Sequence, residues 1–294
     1  MDFGLNTPEV PYLQRQQTIA GPVQIAGRAL HSGVHVNLRL LPLPPDSGIM
    51  FVRPDLESEP VKASPEIVRD TRRCMALGSE TWRIQTVEHL MAALHGLGVD
   101  NVLIEVDGEE IPVVDGSALE FVKAIQRVGL VEQDCARRTR KLHQPVWVQS
   151  DTDPRSYLVA LPALPGEGLR ITYTFTSDHP ATGNQVYQYI HTPENFVREI
   201  APARTIAFER EIELLQKQGL GLGGTLDTVV LVGDDGYKNE LRYADEIVRH
   251  KILDIMGDLY LVGPFEAQII AVRSGHRLDL ELANKLQTVL CHMD

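Results

Sequence analysis

Three polar residues recur at every fourth position in an otherwise apolar segment near the end of the chain. Residues 246–263 read EIVRHKILDIMGDLYLVG, and the spacing of their apolar side chains predicts a helix. His250, Asp254 and Asp258 would form one polar stripe on that helix. Buried polar groups need hydrogen-bonding partners, and buried charges need them more strongly. Either this stripe faces water or other groups pack against it.

The first two residues of the stripe, His250 and Asp254, have a spacing that suits metal ligands. A catalytic zinc site usually takes three protein ligands, so a third must come from elsewhere. His89, in the segment TVEHL, is the candidate, and Glu88 before it could take the proton of an attacking water molecule. The same spacing is also common in surface ion pairs, and the helix dipole alone favours a glutamate at a helix start.

A further histidine lies in the segment SGHRLDLELA, between a predicted strand and a predicted helix. His276 could act as a general acid that protonates a leaving amine, because loops often carry functional groups. Asp258, the last residue of the stripe, could accept the ring N–H of His276 and keep the ring cationic. A histidine in a loop is also commonly just a solvated side chain. Spacing alone therefore indicates an α+β protein and a candidate metal hydrolase.

Two successive sets of strands and helices are predicted to position these residues. The predicted fold class is α+β, with similar domains over residues 13–136 and 137–294, each a helix layer on a mostly antiparallel sheet. The boundary is placed in the polar stretch EQDCARRTRK, residues 132–141. Thr86 is the predicted N-cap of the helix that carries Glu88 and His89, and residues 204–223 are predicted as one helix. Residues 1–17 are predicted to be a loose leader.

Composition and charge exclude several classes of protein. The formal net charge of −12 disfavours a nucleic-acid-binding protein, which normally presents a basic face. The three cysteines form no CxxC pair and their odd number argues against a disulfide framework, which favours the cytoplasm. No charge-free apolar run is long enough to span a membrane, so no stable membrane insertion is expected.

Several long segments occur in a fixed order from about residue 18 to the last predicted helix. They are TVEHLMAALHGLGVDNVLIEVDGEEIPVVDGSALEFV, ARTIAF, LGLGGTLDTVV, RYADEIVRHKILDIMGDLYLVG and SGH. Together they resemble the zinc-dependent UDP-3-O-acyl-N-acetylglucosamine deacetylases of lipid A biosynthesis. The resemblance implies hydrolysis of the 2-acetamido group of UDP-3-O-(3-hydroxyacyl)-N-acetylglucosamine by water, with release of acetate, as the committed step of that pathway.

The resemblance also implies roles for the residues of the polar stripe and its neighbours. It makes His89, His250 and Asp254 the ligands of Zn²⁺, with Fe²⁺ as an alternative metal. It makes Glu88 the catalytic base. His276 becomes the general acid, with Asp258 as its orienting partner.

Further roles implied by the resemblance concern the substrate. Thr205 would help to polarise the amide carbonyl and stabilise the oxyanion, and Lys251 would contact the nucleotide phosphates. Ile206, Phe208 and Ile212 would line an apolar passage for the fatty acyl chain, although an ordinary core position explains Phe208 and Ile212 equally well. The family's fold places the helices between the two sheets and adds a small insert to each domain. The second insert, which helps to form the passage, is assigned to TSDHPATGNQVYQYI, residues 176–190.

Some positions depart from the family's pattern. Ile206 stands where phenylalanine is common, Met75 where a small polar residue is common, and Arg277 follows His276 in place of alanine. Arg277 could lower the pKa of its neighbour or add a phosphate contact. Cys74 resembles a thiol near the metal pocket and is not expected to be a ligand. His31, in the segment LHSG, is assigned to a structural turn.

Two other classes of function are weighed against the deacetylase. A non-catalytic homologue that binds the nucleotide would keep Lys251 and the apolar passage but would have a broken metal set, and the set is complete here. An RNA-binding protein is disfavoured by the charge and by the lack of basic or aromatic clusters. The chain is expected to be a cytoplasmic monomer that can lie at the periphery of the inner membrane.

Overall fold

The structure is a computed structural model that describes residues 14–292, with side chains described to residue 290. Most of the predicted leader, residues 1–13, lies outside the described residues; the rest is not a leader, because Arg15, Gln16 and Gln17 belong to a strand. The helices are α1 (Glu88–Leu97), α2 (Leu119–Val128), α3 (Pro193–Asn195, continued by a π-helical turn Phe196–Ile200), α4 (Glu209–Lys217), α5 (Glu246–Leu259) and α6 (His276–Val289), and 3₁₀ turns lie at Pro54–Leu56, Pro65–Ile67 and Tyr260–Val262.

In the described part of the chain the strands form five sheets. They are β1 (Arg15–Ile19), β2 (Val23–Arg28), β3 (His35–Pro42), β4 (Ile49–Val52), β5 (Val61–Lys62), β6 (Val68–Asp70), β7 (Ala76–Gly78), β8 (Arg83–Gln85), β9 (Val102–Val106), β10 (Leu130–Ala136), β11 (Arg140–Lys141), β12 (Val146–Gln149), β13 (Tyr157–Leu161), β14 (Leu169–Phe175), β15 (Gln185–Ile190), β16 (Thr205–Phe208), β17 (Val229–Gly233), β18 (Gly236–Tyr237), β19 (Phe265–Val272) and β20 (Cys291–His292). Three of the sheets are small: β1-β10, β6-β7-β8 and β16-β17-β18.

A five-stranded sheet from the first part of the chain has the order β2-β3-β9-β4-β5. Its strands pair antiparallel except β4, which lies parallel to β9. Along β3 the side chains of Val36, Leu38 and Leu40 are buried and alternate with more exposed residues. Only one face of this sheet therefore joins the core, as the alternating pattern of the sequence predicts.

A seven-stranded sheet from the second part has the order β12-β13-β19-β11-β20, with β14 beside β19 and β15 at its edge. The central strand β19 pairs antiparallel with β13 and parallel with β14 and β11. Helix α5 packs against β14 and β15, and α6 packs against β12 and β13.

The two sheets share one hydrophobic core through their helices. Every residue of α1 is buried, and α1 packs against α5, while α2 packs against α1 and β2. A helix that is covered on all sides is expected to be largely apolar, and the buried polar residues Glu88, His89 and His95 are the exceptions in α1. Helices α1, α2, α5 and α6 thus lie between the two sheets, which confirms the predicted α+β class. The domain limits at residues 13–136 and 137–294 remain a prediction.

Two local predictions are wrong, for tertiary reasons. Residues 204–223 are not one helix, because Thr205–Phe208 pairs as β16 with β17 and only Glu209–Lys217 is helical. Thr86 does not cap α1: the residue at the N-cap is Val87. Thr86 has a φ of +59°, and its hydroxyl donates to the carboxylate of Glu110 at 3.0 Å.

Candidate metal centre

Helices α1 and α5 bring three ligand-type side chains together. The Nε2 atom of His250 lies 3.2 Å from Oδ1 of Asp254, and Nε2 of His89 lies 3.9 Å from the same oxygen. One ligand atom from each of the three residues lies within 4.8 Å of the other two, and all three side chains are buried. The polar stripe therefore faces a partner from the other part of the chain and not water.

The chemistry of these three residues fits a divalent metal ion. Nδ1 of His250 donates to the carbonyl oxygen of Ala203 at 3.0 Å, which leaves the lone pair of Nε2 directed at the cluster. Burial lowers the pKa of His89 to about 3 and also lowers that of His250, so both rings are neutral, as metal binding requires. Burial would raise the pKa of Asp254, but His250 and Lys251 outweigh it and the net pKa is lowered. Two neutral imidazoles and one carboxylate form a donor set that suits zinc or iron.

Glu88 is a buried carboxyl group beside this cluster. It begins α1, and its Oε2 accepts a hydrogen bond from the backbone N–H of Met75 at 3.0 Å. Burial raises the pKa of Glu88 to about 8, while the charge of His276 opposes this shift. A carboxyl group with a pKa near neutrality can both take and release a proton.

His276 and Asp258 meet as the sequence predicts. The Nδ1 atom of His276 lies 2.7 Å from Oδ2 of Asp258. His276 is the first residue of α6, not a loop residue, and its side chain is 10% exposed whereas that of Asp258 is fully buried. Sequence reasoning missed Asp279, which is buried one turn along α6 and lies in the same cluster of titratable atoms. Its spacing of three residues from His276 was the available signal.

Thr205 is held at the start of β16 by a buried ion pair that the sequence analysis also missed. The carboxylate of Glu246 accepts hydrogen bonds from the backbone N–H of Arg204 at 3.0 Å and from its Nε at 2.9 Å. Glu246 is completely buried. The carbonyl oxygen of Ala203 orients the candidate ligand His250, and Glu246 anchors Arg204. Thr205 follows these two residues directly, so its backbone is held close to the candidate metal site.

A cavity of about 310 Å³ opens beside Thr205. Ile206 and Ile212 line it, together with residues of α4, β17 and the turn at His31. Phe208 is not among its lining residues; its ring lies 5.8 Å from that of His179, and the guanidinium of Arg210 stacks over it at 5.2 Å. Strand alternation alone would put Phe208 on the same face as Ile206, but Phe208 is the last residue of β16 and the N-cap of α4, where the chain leaves the strand.

The segment assigned to the second insert does not form this cavity. Residues 176–190 make a loop and the edge strand β15, which pairs with β14, and none of them lines the cavity. The lining residues come instead from residues 205–231, with Leu30, His31 and Arg73. Strand pairing places residues 185–190 at the edge of the large sheet, and the assignment of the second insert to residues 176–190 remains a prediction.

Lys251 lies close to the candidate ligands. Its Nζ donates to Oδ2 of Asp254 at 2.8 Å, and its side chain is 22% exposed. Its ammonium group therefore already neutralises the charge of that carboxylate. Arg277 points away from His276 and donates to Glu281 at 2.9 Å and to Ser150 at 3.0 Å.

His31 lies in a turn, as the sequence predicts, and lines the cavity beside Thr205. Glu110 holds this turn by accepting from the backbone N–H of His31 at 2.8 Å and of Ser32 at 3.1 Å. Burial raises the pKa of Cys74 to about 12, with a further contribution from Glu88, so its thiol is unreactive.

Comparison with known proteins places this geometry in a family. A family model described as UDP-3-O-acyl N-acetylglycosamine deacetylase (LpxC) matches residues 16–288. The chain belongs to this family. Among relatives named UDP-3-O-acyl-N-acetylglucosamine deacetylase, that of Nostoc sp. (strain PCC 7120 / SAG 25.82 / UTEX 2576) is 43% identical over 280 residues, which cover 92% of this chain and 98% of the relative. The relative from Haemophilus influenzae (strain PittEE) is 40% identical over 287 residues, covering 95% of this chain and 91% of the relative.

The match to the UDP-3-O-acyl N-acetylglycosamine deacetylase family covers the elements that form the candidate site. The matched residues include both helices that carry the candidate ligands, the start of β16 and the whole of the cavity wall. Within residues 14–292, no helix is both long enough and apolar enough to cross a membrane.

Proposed function

We propose that this protein hydrolyses the 2-acetamido group of UDP-3-O-(3-hydroxyacyl)-N-acetylglucosamine and releases acetate, as the committed step of lipid A biosynthesis. The observation that carries the proposal is the convergence of His89, His250 and Asp254 from two helices, with Glu88 beside them. The names of the relatives supply the substrate.

The proposed metal is Zn²⁺, with Fe²⁺ as the alternative, held by His89, His250 and Asp254. When bound, the ion would supply Lewis-acid chemistry that acidifies water and polarises the amide carbonyl. Lys251 balances the charge of Asp254 and is also proposed to contact the nucleotide phosphates, which would let a chain with a net charge of −12 bind an anionic substrate.

The residues around the ligands are proposed to move the protons of the reaction. Glu88 takes a proton from the attacking water as its oxygen forms a bond to the acetamide carbon. The hydroxyl of Thr205 donates a hydrogen bond to the oxygen on which negative charge develops. His276, held by Asp258, gives a proton to the nitrogen as the C–N bond breaks, which leaves acetate and a free amine.

The acyl chain of the substrate is proposed to enter the cavity lined by Ile206 and Ile212. Its volume of about 310 Å³ and its position beside Thr205 support this. Each methylene buried there would contribute about 0.8 kcal/mol to binding. The active species is proposed to be a monomer, since one chain supplies both helices of the site. Its proposed location is the cytoplasm.

The test is acetate release from this substrate by the purified protein and by His250→Ala, with metal measured on the same samples. The expected result is one metal ion per chain and activity in the wild type, with both lost in the variant. His35→Ala, an exposed histidine away from the cluster, is the matched control and should retain both. A folded, metal-loaded wild type that releases no acetate would overturn the substrate assignment.

A further inference from the structure

A second cluster of titratable side chains lies behind His276, at the first turn of α6. One atom from each of Asp258, His276 and Asp279 lies within 4.8 Å of the other two. Asp258 and Asp279 are both buried, at 1% exposure each. Oδ2 of Asp258 accepts from His276, but Oδ1 of Asp258 and Oδ1 of Asp279 have no hydrogen-bonding partner in the part of the chain that the structure describes.

Two buried carboxyl groups at such short range do not both ionise. The Coulomb repulsion between them and the loss of hydration each favour retention of one proton by the pair. A protonated carboxyl group donates one hydrogen bond, whereas a carboxylate only accepts. A single proton between Asp258 and Asp279 would therefore satisfy both of the unpartnered oxygens at once.

The other titratable groups around Asp258 and Asp279 do not remove the need for a shared proton. Lys251 and Asp254 face the pair from α5, and Glu88 faces it from α1. Tyr173 faces it from β14, and His276 faces it from the start of α6. The hydroxyl of Tyr173 already donates to the carbonyl oxygen of Ser274 at 2.7 Å. Burial, and then the neighbouring Asp258, raise the pKa of Asp279 well above its usual range despite Lys251 and His276.

We propose that Asp279 is a positioning residue that stays protonated at neutral pH and donates its O–H to Oδ1 of Asp258. Asp258 then remains a carboxylate between two donors, the O–H of Asp279 and Nδ1–H of His276. The proton resides on Asp279 because only Asp258 has the second donor that stabilises its negative charge. A metal ion does not explain the cluster equally well, since the 2.7 Å contact already uses the Nδ1 atom of His276.

The consequence for catalysis rests on the proposed function. A fixed Asp258 carboxylate keeps the ring of His276 oriented, which the protonation of the leaving nitrogen requires. Asp279 acts through Asp258 and does not touch the substrate. An amide at position 279 would supply the same N–H donor and should replace the acid, whereas an alkyl side chain should not.

The test compares Asp279→Asn with Asp279→Leu in the metal-loaded full chain. The kcat for acetate release should stay within about threefold of wild type in Asp279→Asn and fall roughly ten- to hundredfold in Asp279→Leu. The pH profile of kcat should change only in Asp279→Leu, because that variant alone leaves Oδ1 of Asp258 without a donor. Equal losses in both variants, or full activity of Asp279→Leu with an unchanged profile, would overturn the proposal.

A spectroscopic measurement separates this proposal from the proposed function. The infrared difference spectrum of wild type minus Asp279→Asn at neutral pH should show the C=O band of a protonated carboxyl group. Glu281→Gln, which removes an exposed carboxylate of the same helix, is the matched control and should show no such band. A missing band in the first spectrum would refute the protonated Asp279 even in an active enzyme. A present band in a protein that releases no acetate would refute only the proposed function. Two metal ions per chain, with the second lost in Asp279→Asn, would show that a metal and not a proton joins the cluster.

Discussion

Gly257 of α5 lies directly against the backbone of Glu88 of α1. A Cβ atom at position 257 would lie 2.0 Å from the carbonyl oxygen of Glu88, a distance that no side chain can occupy. Asp254 stands one turn earlier on α5, and His89 follows Glu88 on α1. This contact between two helices therefore sets how closely the candidate ligands approach one another.

Gly257→Ala is expected to destabilise the protein and weaken metal binding together. Alanine is favoured over glycine in a helix by about 1 kcal/mol, but overpacking a tight contact costs about 1–3 kcal/mol, so the clash should dominate. Urea unfolding and metal titration of the same samples measure the two effects. Gly21→Ala is the control, because nothing lies within 4 Å of its Cβ. An equally stable variant with wild-type metal affinity would mean that the helices separate without cost.

Glu246→Gln is expected to destabilise the protein and lower its activity. The change leaves the guanidinium of Arg204, whose side chain is 7% exposed, without its buried counter-charge. Breaking a buried pair by removal of one partner typically costs about 3–5 kcal/mol. The kcat should also fall, because Thr205 follows Arg204 directly. Asp245→Asn removes the neighbouring, more exposed carboxylate and should change the unfolding free energy by less than about 1 kcal/mol. Similar values for the two variants would contradict the anchoring role of Glu246.

The buried imidazole of His95 is expected to make stability depend on pH. Its Nδ1 donates to the carbonyl oxygen of Met256 at 2.9 Å, and its ring stacks on Tyr260. Burial, with a contribution from His191, lowers the pKa of His95 to about 3. The pKa of a histidine in the unfolded chain is about 6.5. Between about pH 6.5 and pH 3 the unfolded chain therefore binds a proton that the folded chain does not. The free energy of unfolding should fall as the pH falls through this window, by about 1.4 kcal/mol per pH unit.

The measurement for His95 is the urea unfolding free energy at several pH values through this window. His95→Asn keeps a donor near the position of Nδ1 but cannot titrate. The slope of the unfolding free energy against pH should therefore correspond to the uptake of one proton fewer on unfolding than in the wild type. Part of the slope should remain, because burial lowers the pKa of His191 to about 4 as well. An identical slope in both proteins would show that His95 does not titrate on unfolding.

Ile212→Phe is expected to shift acyl-chain preference towards shorter chains. Ile212 lines the cavity of about 310 Å³, and a larger ring would displace part of a long chain. Loss of two buried methylenes would lower kcat/KM for the longest substrate by about tenfold, with little change for the shortest. Phe208→Leu is the control, since Phe208 lies outside the cavity lining and should leave the preference unchanged. A shift in Phe208→Leu and none in Ile212→Phe would reverse the two assignments.

The sequence by itself determined which elements carry the chemistry. Helical spacing put His250, Asp254 and Asp258 on one stripe, because side chains four residues apart share a helix face whatever surrounds the helix. Alternation along strands such as His35–Pro42 likewise indicated one buried face. Both are local periodicities that the chain carries without its neighbours.

Only the tertiary structure decided which distant groups meet and which side of an element they face. The contact of His89 with Asp254, the burial of Asp279 against Asp258, and the anchoring of Arg204 by Glu246 all join different elements. Strand pairing overrode the helical pattern of residues 204–223, and Phe208, where the strand gives way to a helix, does not line the cavity. Such contacts depend on how helices and sheets pack, and a one-dimensional pattern fixes the face of an element but not its neighbour.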